Sequence, residues 1–570
     1  MAPYQSPVYP LHDADTANLS VSQFMTRYNP DEVSASKVVH VDTLSSDAIT
    51  YGSLREDAGR GAWGLREKLG LKPGDVLLAL VKNSNAFVRL AHATWWAGAV
   101  FAPLNTAATR ADISHVLQIV RPTHVATIAE KLDDVRAAVA SHSPSTSILT
   151  VLTRADSLPM FPDDILGKTE TEALPPHDLE GRHAKDVPST ICFSSGTTGK
   201  MKGVQLSHYN LIMNTITMRT SMPARVNSTV REVFFAPYCH IYGLTIAVLA
   251  GMWVGALYCG LPAFDLETFC RKSSEIEVTD LHLVPPVALA LATSPVAQKY
   301  GLDSLKRIVI SAAPLKKNVQ LLLKKRLPHT SVVQGYGLTE CTGGVIHQID
   351  EEEEAHGCVG KLFAGVEARL VDPNTKKDVA VGQEGELWVR GPVVMMGYVG
   401  DSKATAQEFS EGWLRTGDIL TIDEKQNFWV TDRLKEMIKY KGLQIPPSEL
   451  EDLLLRHPAV TDAAVCATYD DAQATEVPLA YVSLAPNTLE ALGIPPSSPS
   501  PSSKSSPVTD EKLQSLLEEI RRWADSQVAG YKKLRGGVFH LQELPKTATG
   551  KILRRLLPVK VAESRRAGKL

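Results

Sequence analysis

The sequence predicts an α/β fold of layered subdomains with a small β unit and a small C-terminal α+β domain, and three observations lead to this prediction. Apolar runs of strand length, such as VLLALV from Val76 and HVATIA from His124, alternate with helical patterns. This alternation is typical of parallel strands covered by helices. Between Leu370 and Arg390, short alternating strands separated by turn residues favour an antiparallel β unit. After Asp432, a compact segment mixes helices and strands.

Length and local signals then indicate how the chain is divided. At 570 residues it is too long for one core, so two or more domains are expected. Near the start of the last segment, PPSELEDLLLRHPAV predicts a helix with Ser448 as N-cap and acidic residues in its first turn. Residues 493–510, GIPPSSPSPSSKSSPVTD, are too rich in Pro and Ser to bury much surface, and they predict a disordered, solvated insertion.

Composition argues against several classes of protein and of site. The net charge of −3 gives no general attraction to nucleic acid. The seven cysteines contain no C-x-x-C pair, which favours a reducing compartment over a disulfide framework or a zinc site. No secretory signal is visible, so a cytoplasmic protein is expected. The final Gly568-Lys569-Leu570 differs from the peroxisomal S-K-L address by Gly for Ser, so peroxisomal import stays open beside a simple basic tail.

One uncharged stretch, Leu244 to Leu261, is long enough to span a membrane. It contains three glycines, and no other stretch resembles a partner span. A buried helix leading into a buried strand explains the same string. We therefore expect a core segment and no membrane span.

Residues 191–204, ICFSSGTTGKMKGV, form the first motif that carries chemistry. Small residues, hydroxyls and lysines after an apolar run are typical of a loop that binds phosphate oxygens. The loop is not a Walker A sequence, because the sixth residue counted from Gly196 is Met201 and neither lysine precedes Ser or Thr. The loop residues assigned to phosphate binding are Ser194, Ser195, Gly196, Thr197, Thr198, Gly199 and Lys202.

Four further motifs follow in order along the chain. In QGYGLTE, Tyr336 is suited to stacking on a flat ring, while Thr339 and Glu340 are suited to a hydrated Mg²⁺. GWLRTGD places Asp418 just after a Gly turn, where a carboxylate suits ribose hydroxyls. DRLKEMIKYKGLQIPPSELE and LPKTATGKILRR add isolated lysines near glycines. Each motif alone also fits turn glycines, a core tyrosine or solvated lysines, but five in this order are improbable by chance.

The combined motifs, over roughly residues 30–556, resemble those of adenylate-forming acyl-activating enzymes, which include 4-coumarate–CoA ligases, acyl-CoA synthetases and firefly-type luciferases. The resemblance implies an N-terminal adenylation domain over 1–432 and a mobile C-terminal domain over 433–570. It also implies a carboxylic acid substrate, ATP, Mg²⁺ and coenzyme A. The acid and ATP would give an acyl-adenylate and pyrophosphate, and a thiol would then take the acyl group.

The resemblance assigns roles residue by residue. Nucleotide contacts beyond the phosphate loop fall on Ala312, Ala313, Pro314, Gln334, Gly335, Tyr336, Gly337, Asp418, Arg433 and Gly442. Catalytic roles fall on Lys551, Lys439, Gln444, His240, Thr339 and Glu340, with Glu340 also holding Mg²⁺. The acyl pocket falls on His240, Tyr242, Val309, Ser311, Gly343 and Gly344. Lys435 falls at the hinge of the small domain.

Departures from the family pattern bear on the substrate. Ligases for 4-hydroxycinnamates carry a lysine just before S-G-A-A-P-L, where this chain has Val309. The following Cys341-Thr342-Gly343-Gly344 is small and uncrowded, so we expect a fatty, arylalkanoic or polyketide-like acid. Two alternatives stay open: an acyl-AMP ligase that loads a carrier protein, and a nucleotide-binding scaffold without catalysis.

Overall fold

The computed structural model describes most of the chain. The described ranges are 3–6, 17–195, 201–311, 315, 317–349, 357–433, 436–440, 443–470, 475–494, 507–528, 530–546 and 552–557. The chain divides into two compact units. The first comprises 1–369, 388–416 and 422–429, and the second comprises 370–387, 417–421 and 430–570.

The helices of the first unit alternate with its strands along most of the chain. They are α1 (Val21–Arg27), α2 (Tyr51–Glu67), α3 (Asn85–Trp96), α4 (Arg110–Val120), α5 (Leu132–His142), α6 (His208–Ser221), α7 (Ile241–Gly243), α8 (Gly251–Val254), α9 (Leu266–Glu275), α10 (Pro285–Thr293), α11 (Pro295–Gln298), α12 (Lys317–Arg326) and α13 (Ser402–Glu408). Side chains fix several helix starts: Ser207, for example, caps α6 by accepting the backbone N–H of Asn210.

The strands up to residue 362 belong to the first unit. They are β1 (Tyr4–Gln5), β2 (Val38–Asp42), β3 (Ala48–Thr50), β4 (Val76–Leu80), β5 (Val100–Pro103), β6 (His124–Thr127), β7 (Ser147–Val151), β8 (Met160–Phe161), β9 (Pro188–Ser195), β10 (Met201–Ser207), β11 (Arg231–Phe234), β12 (Leu257–Gly260), β13 (Asp280–Leu283), β14 (Arg307–Ile310), β15 (Ser331–Leu338), β16 (Gly343–His347) and β17 (Cys358–Leu362).

The later strands are shorter on average. They are β18 (Glu367–Val371), β19 (Gly385–Arg390), β20 (Gly397–Tyr398), β21 (Phe409–Ser410), β22 (Trp413–Ile422), β23 (Phe428–Arg433), β24 (Ile438–Tyr440), β25 (Leu443–Ile445), β26 (Val460–Asp470), β27 (Thr475–Leu484) and β28 (Val538–His540). The second unit also contains the helices α14 (Pro447–Leu454), α15 (Pro486–Ala491) and α16 (Pro507–Ser526).

Two sheets of the first unit position the site. One has the order β20-β10-β9-β5-β4-β6-β7-β8, in which the β5, β4, β6 and β7 pairings are parallel and the β9–β10 hairpin is antiparallel. In the other, β13, β14 and β15 are parallel, and β15 then pairs antiparallel with β16. The apolar runs therefore form parallel strands, as the sequence predicts.

The uncharged stretch that begins at Leu244 lies in the core. Its first seven residues form a π-helical turn, Leu244–Ala250, followed by α8 and the buried strand β12. This agrees with the expected buried helix and strand. Within the described ranges, no helix has both the length and the apolar character that a bilayer crossing requires.

The second unit differs from the sequence prediction at two points. Helix α14 begins at Pro447, so Ser448 is not its N-cap. The Ser448 hydroxyl instead donates to Thr431 O at 3.0 Å and contacts Asp432 Oδ2. Proline suits the first helical position, which explains the earlier start. Residues 507–510 of the predicted insertion belong to α16, which also begins at a proline, and residues 495–506 lie outside the described ranges.

Candidate active site

A hydrogen-bonded junction joins the phosphate-loop motif to the Thr339–Glu340 motif. Strand β9 carries Ser194 at its end, and a short 3₁₀ turn, Thr339–Cys341, follows β15. The Ser194 hydroxyl donates to Glu340 Oε1 at 2.9 Å. The Tyr398 hydroxyl donates to the same oxygen at 3.0 Å. Residues from three separate parts of the sequence thus meet at one carboxylate.

The two described hydrogen bonds to the Glu340 carboxylate share one oxygen. Both hydrogen bonds go to Oε1, and no described residue donates to Oε2. Burial, followed by the nearby charge of Glu340, raises the pKa of Tyr398, so this phenol remains a donor at neutral pH. A half-buried carboxylate fits the ligand preference of Mg²⁺. Among the described residues, no group of three or more His, Cys, Asp or Glu side chains forms a metal cluster by itself.

Lys202 lies next to this junction. On β10 it is the register partner of Ser194. Its ammonium lies 4.3 Å from the centroid of the Tyr398 ring and 3.5 Å from Glu408 Oε1. Both charged side chains of this pair are largely buried, with 20% and 22% of their surface exposed. Glu408 and the Tyr398 ring thus hold the ammonium group beside the junction.

Close backbone approach explains the glycines of β15 and β16. A Cβ on Gly337 would lie 2.0 Å from the Gly343 carbonyl oxygen, and a Cβ on Gly344 would lie 2.4 Å from the Phe363 ring. Gly335 has ordinary room, with its nearest contact at 3.5 Å. Tyr336 is half-buried between the two β15 glycines. The motif therefore needs glycine at 337 and 344 for packing, whatever ligand it binds.

Gln334 has a bridging position in the structure. Its amide oxygen accepts the backbone N–H of Leu315 at 2.9 Å, and its amide nitrogen donates to Cys358 O at 3.2 Å. The side chain therefore ties β15 to the residue just after the Ala312-Ala313-Pro314 stretch. The nucleotide contact predicted for Gln334 stays a prediction.

The predicted acyl residues gather around the start of α7. His240 is exposed and caps this short helix, and Tyr242 is half-buried with its hydroxyl beside Ser311. Burial raises the pKa of Tyr242, while Ser311 partly offsets this effect. Val309 is half-buried on β14. A Cβ added to Gly343 would lie 3.3 Å from Thr245 Oγ1. Strand β16 therefore packs against the same helical segment.

Other predicted residues lie in the second unit or outside the described ranges. Asp418 is buried on β22 in the second unit. Lys439 on β24 and Gln444 on β25 are register partners of each other. Arg433 ends β23. The residues outside the described ranges are Gly196, Thr197, Thr198, Gly199, Ala312, Ala313, Pro314, Lys435, Gly442, Lys551 and the terminal Gly568-Lys569-Leu570. Ser195 is described as the last residue of β9, and Thr339 is buried.

Sequence reasoning missed Tyr398 and the pair of Glu232 and His282. Tyr398 lies 58 residues from Glu340, and an aromatic residue after a glycine has no distinctive local signal. Glu232 follows Arg231 at the start of β11, where a charged residue has no distinctive local signal, and only its burial in the fold sets it apart.

Comparison with known proteins identifies the family. The model of the AMP-binding enzyme family matches residues 29–399, and that of the AMP-binding enzyme C-terminal domain matches residues 449–551. The 4-coumarate–CoA ligase-like 9 protein of Arabidopsis thaliana is 33% identical over 536 residues, covering 93% of this chain and 88% of that protein. The chain belongs to the AMP-binding enzyme family.

Two further relatives agree with this membership. The peroxisomal OPC-8:0-CoA ligase 1 of Arabidopsis thaliana is 33% identical over 550 residues, covering 95% of this chain and 93% of that protein. The crystal structure of ATP-bound MatB from Rhodopseudomonas palustris matches with a TM-score of 0.79 at 25% identity, covering 95% and 98% of the two chains. This AMP-binding enzyme is therefore an acid–thiol ligase with a large N-terminal and a small C-terminal domain, and its family implies ATP and CoA as substrates.

Proposed function

We propose that the protein is an ATP-dependent acyl-CoA ligase that forms an acyl-adenylate and then a CoA thioester, releasing pyrophosphate and AMP. The observation that carries the proposal is the junction of Ser194, Glu340 and Tyr398. It holds the entry of the phosphate loop within hydrogen-bond distance of the carboxylate assigned to the α-phosphate region. A nucleotide-binding scaffold without catalysis is the alternative, and absence of AMP formation with every acid tested would favour it.

The first step brings two anions together, because a carboxylate attacks the α-phosphate. Its barrier is largely electrostatic, so fixed positive groups and N–H donors lower it without a proton-transferring base. Lys202 and Lys551 would supply charge from the protein, and Glu340 would hold Mg²⁺. When bound, Mg²⁺ neutralises developing charge on phosphate oxygens.

The roles proposed for the lysines predict opposite effects on the two half-reactions. Lys551→Ala should reduce adenylation by about 10²–10³-fold, the usual effect of removing one fixed electrostatic group, and should spare thiol transfer to preformed adenylate. Lys439→Ala should show the reverse, because rotation about Lys435 would bring the β24–β25 segment to the site for the second step. Pyrophosphate exchange measures the first step, and thioester formation from synthetic acyl-adenylate measures the second. Equal losses in both steps would contradict the assignment.

For the acid, we propose a fatty, arylalkanoic or polyketide-like compound, since Val309 stands where phenolic-acid ligases have lysine. The purified protein should be incubated with ATP, Mg²⁺, CoA and a panel of acids, and every product identified by mass spectrometry. AMP with an acyl-CoA is the expected result. Free adenylate without thioester would move the acceptor to a carrier protein, and a higher kcat/KM for coumarate than for medium-chain acids would reject the proposed substrate class.

We also propose import into peroxisomes through the terminal Gly568-Lys569-Leu570. One relative is named as a peroxisomal ligase, and the tail differs from S-K-L at one position. Fusion of a fluorescent protein to the N-terminus, with and without these three residues, tests the proposal. Uniform cytosolic fluorescence from the intact tail would reject it.

A further inference from the structure

A buried acid–base pair lies beside the proposed acyl pocket. Glu232 on β11 has no exposed surface, and His282 on β13 keeps 17% of its side chain exposed. The His282 ring Nδ1 lies 2.8 and 2.9 Å from the two oxygens of Glu232. The backbone N–H of His282 also donates to Glu232 Oε1, at 2.7 Å. Two donors from one residue therefore fix both the carboxylate and the imidazole.

Packing alone does not explain this pair. Its strand neighbours Val233, Leu281 and Leu283 belong to a buried hydrophobic cluster. Replacing both partners of such a buried polar pair by apolar residues of similar size is often neutral or stabilising, because desolvation offsets the attraction. Burial raises the pKa of Glu232, and its hydrogen bonds from His282 oppose that rise. A costly pair in an apolar layer indicates a role for the imidazole.

The His282 imidazole lies next to side chains that are predicted to line the acyl pocket, and together they form one wall. The His282 and Tyr242 rings meet edge to face, with centroids 5.5 Å apart. His282 is the register partner of Val309 in the parallel β13–β14 pair, so the two side chains project from the same face of the sheet. Ser311 follows Val309 by two residues and lies beside the Tyr242 hydroxyl. The wall therefore combines one apolar residue with three polar side chains.

Glu232 also determines which nitrogen of His282 is available. Nδ1 is occupied by the carboxylate, and no described residue bonds to Nε2. A carboxylate on one ring nitrogen fixes the orientation of the imidazole and strengthens the other nitrogen as a binding group. The partly exposed ring thus offers one oriented nitrogen at the wall.

We propose that His282, positioned by Glu232, is a specificity residue that hydrogen-bonds an oxygen atom on the acyl chain of the substrate. This deepens the proposed function, on which it rests: the acid is an oxygenated one, with a keto or hydroxyl group away from the reacting carboxyl group. A plain hydrocarbon chain would leave the oriented imidazole without a partner, and sites that bind a substrate polar group discriminate strongly against analogues that lack it.

The test compares matched acids and matched variants of the full chain. Medium-chain acids are offered in pairs, with and without one keto or hydroxyl group, and both the Kd from calorimetry and the kcat/KM for thioester formation are measured. The variant E232L/H282L removes the pair without leaving a buried charge, Glu232→Gln weakens the positioning, and His142→Leu on the exposed face of α5 is the control. Thermal melting shows that each variant is folded.

The wild type and His142→Leu should favour an oxygenated acid at least about tenfold over its plain partner, and E232L/H282L should lose most of that preference. Glu232→Gln should fall between them. Turnover without any preference, or a preference that survives in E232L/H282L, overturns the role of His282 and leaves the ligase reaction intact. Preferential binding without thioester from any acid supports the role and overturns the proposed reaction, whereas no binding and no turnover overturns both.

Discussion

At the scale of single residues, most of the proposed adenylation chemistry depends on the position of one carboxylate, that of Glu340. Glu340 Oε1 accepts two hydroxyl groups, from Ser194 and Tyr398, and its backbone carbonyl accepts the N–H of Met395 at 2.9 Å. The side chain is thus held from the phosphate-loop strand and from the β20 segment. Protein groups on both sides therefore hold this carboxylate, which is the kind of pre-organisation that electrostatic catalysis requires.

We expect Glu340→Gln to reduce acid-dependent pyrophosphate exchange by roughly 10²-fold or more, because an amide removes the charge that would hold Mg²⁺. Tyr398→Phe is the matched control, since it removes one hydrogen bond to the same oxygen and keeps the charge. Its loss should stay within about tenfold. An equal loss in both variants would mean that the junction, and not the carboxylate charge, determines the rate.

At the scale of secondary-structure elements, the pairing of β15 with β16 sets the geometry of the QGYGLTE motif. The register shifts between Tyr336 and Gly337, and there the two backbones come closest. A side chain on Gly337 would meet backbone, which cannot move aside as a flexible side chain can.

Gly337→Ala should therefore lower the free energy of unfolding by about 1–3 kcal/mol and disturb ATP binding. Gly335→Ala, two residues earlier on the same strand, should change the free energy by less than about 0.5 kcal/mol, because its Cβ would have ordinary contacts. Urea unfolding and nucleotide titration measure the two effects. Equal losses would indicate that the motif depends on glycine flexibility and not on the close approach at Gly337.

Residues 552–557 are anchored inside the second unit through hydrogen bonds of Arg554 and Leu557. Arg554 Nη2 donates to both oxygens of the buried Glu451 at 2.8 Å, and its Nε donates to Val465 O at 3.0 Å. The carbonyl of Leu557 accepts the Tyr481 hydroxyl at 2.9 Å. Arg554 follows Lys551 by three residues in the sequence.

Arg554→Met should destabilise the second unit by about 3–5 kcal/mol, because it leaves Glu451 buried without its partner. It should also impair adenylation more than thiol transfer. Arg521→Met on α16 is the control. Its partner Glu518 is exposed, and such pairs contribute about 0–1 kcal/mol. Its second partner, Asp525 at 3.3 Å, would still accept the backbone N–H of Leu534. Calorimetry and the two half-reactions measure these effects, and similar melting temperatures for both variants would refute the anchoring role.

Sequence patterns predicted the elements whose signals are local. The apolar runs from Val76 and His124 formed β4 and β6, and the uncharged stretch from Leu244 was buried as expected. Ser448 shows a limit: a good N-cap residue lost that position because Pro447 starts the helix and Asp432 offers the hydroxyl a tertiary partner. The proposed roles of Tyr398 and His282 depend on partners that are distant in the sequence, so no local pattern could predict these roles.

At the scale of the whole molecule, buried neutral histidines link stability to pH. Burial lowers the pKa of four of them: to about 4 for His40 and His92, and to about 3 for His208 and His347. In the unfolded chain, histidine titrates near 6.5. Below that value the unfolded state binds more protons than the folded state, so stability falls as the pH falls from about 6.5 toward 4. Carboxylates with lowered pKa, such as Asp47 at about 2, lose their contribution only at lower pH.

His208→Asn tests this account. His208 Nδ1 accepts the backbone N–H of Val21 at 3.1 Å, and the Asn amide oxygen can take over that bond without titrating. From pH 7 to pH 5 the wild type should lose about 2 kcal/mol more than the variant, since each pH unit below 6.5 costs about 1.4 kcal/mol for one group that stays neutral in the fold.

The comparison isolates one group because every other titratable residue is the same in both proteins. Glu232 and Glu451, whose pKa values burial raises, bind protons in the folded state on acidification and so act in the opposite sense, but they do so equally in the variant. His142→Gln on the exposed face of α5 is the control for substitution of a surface histidine. Melting temperatures across the pH range give the slopes. Parallel slopes for wild type and His208→Asn would show that the imidazole charges inside the fold, or that its bond to Val21 does not form.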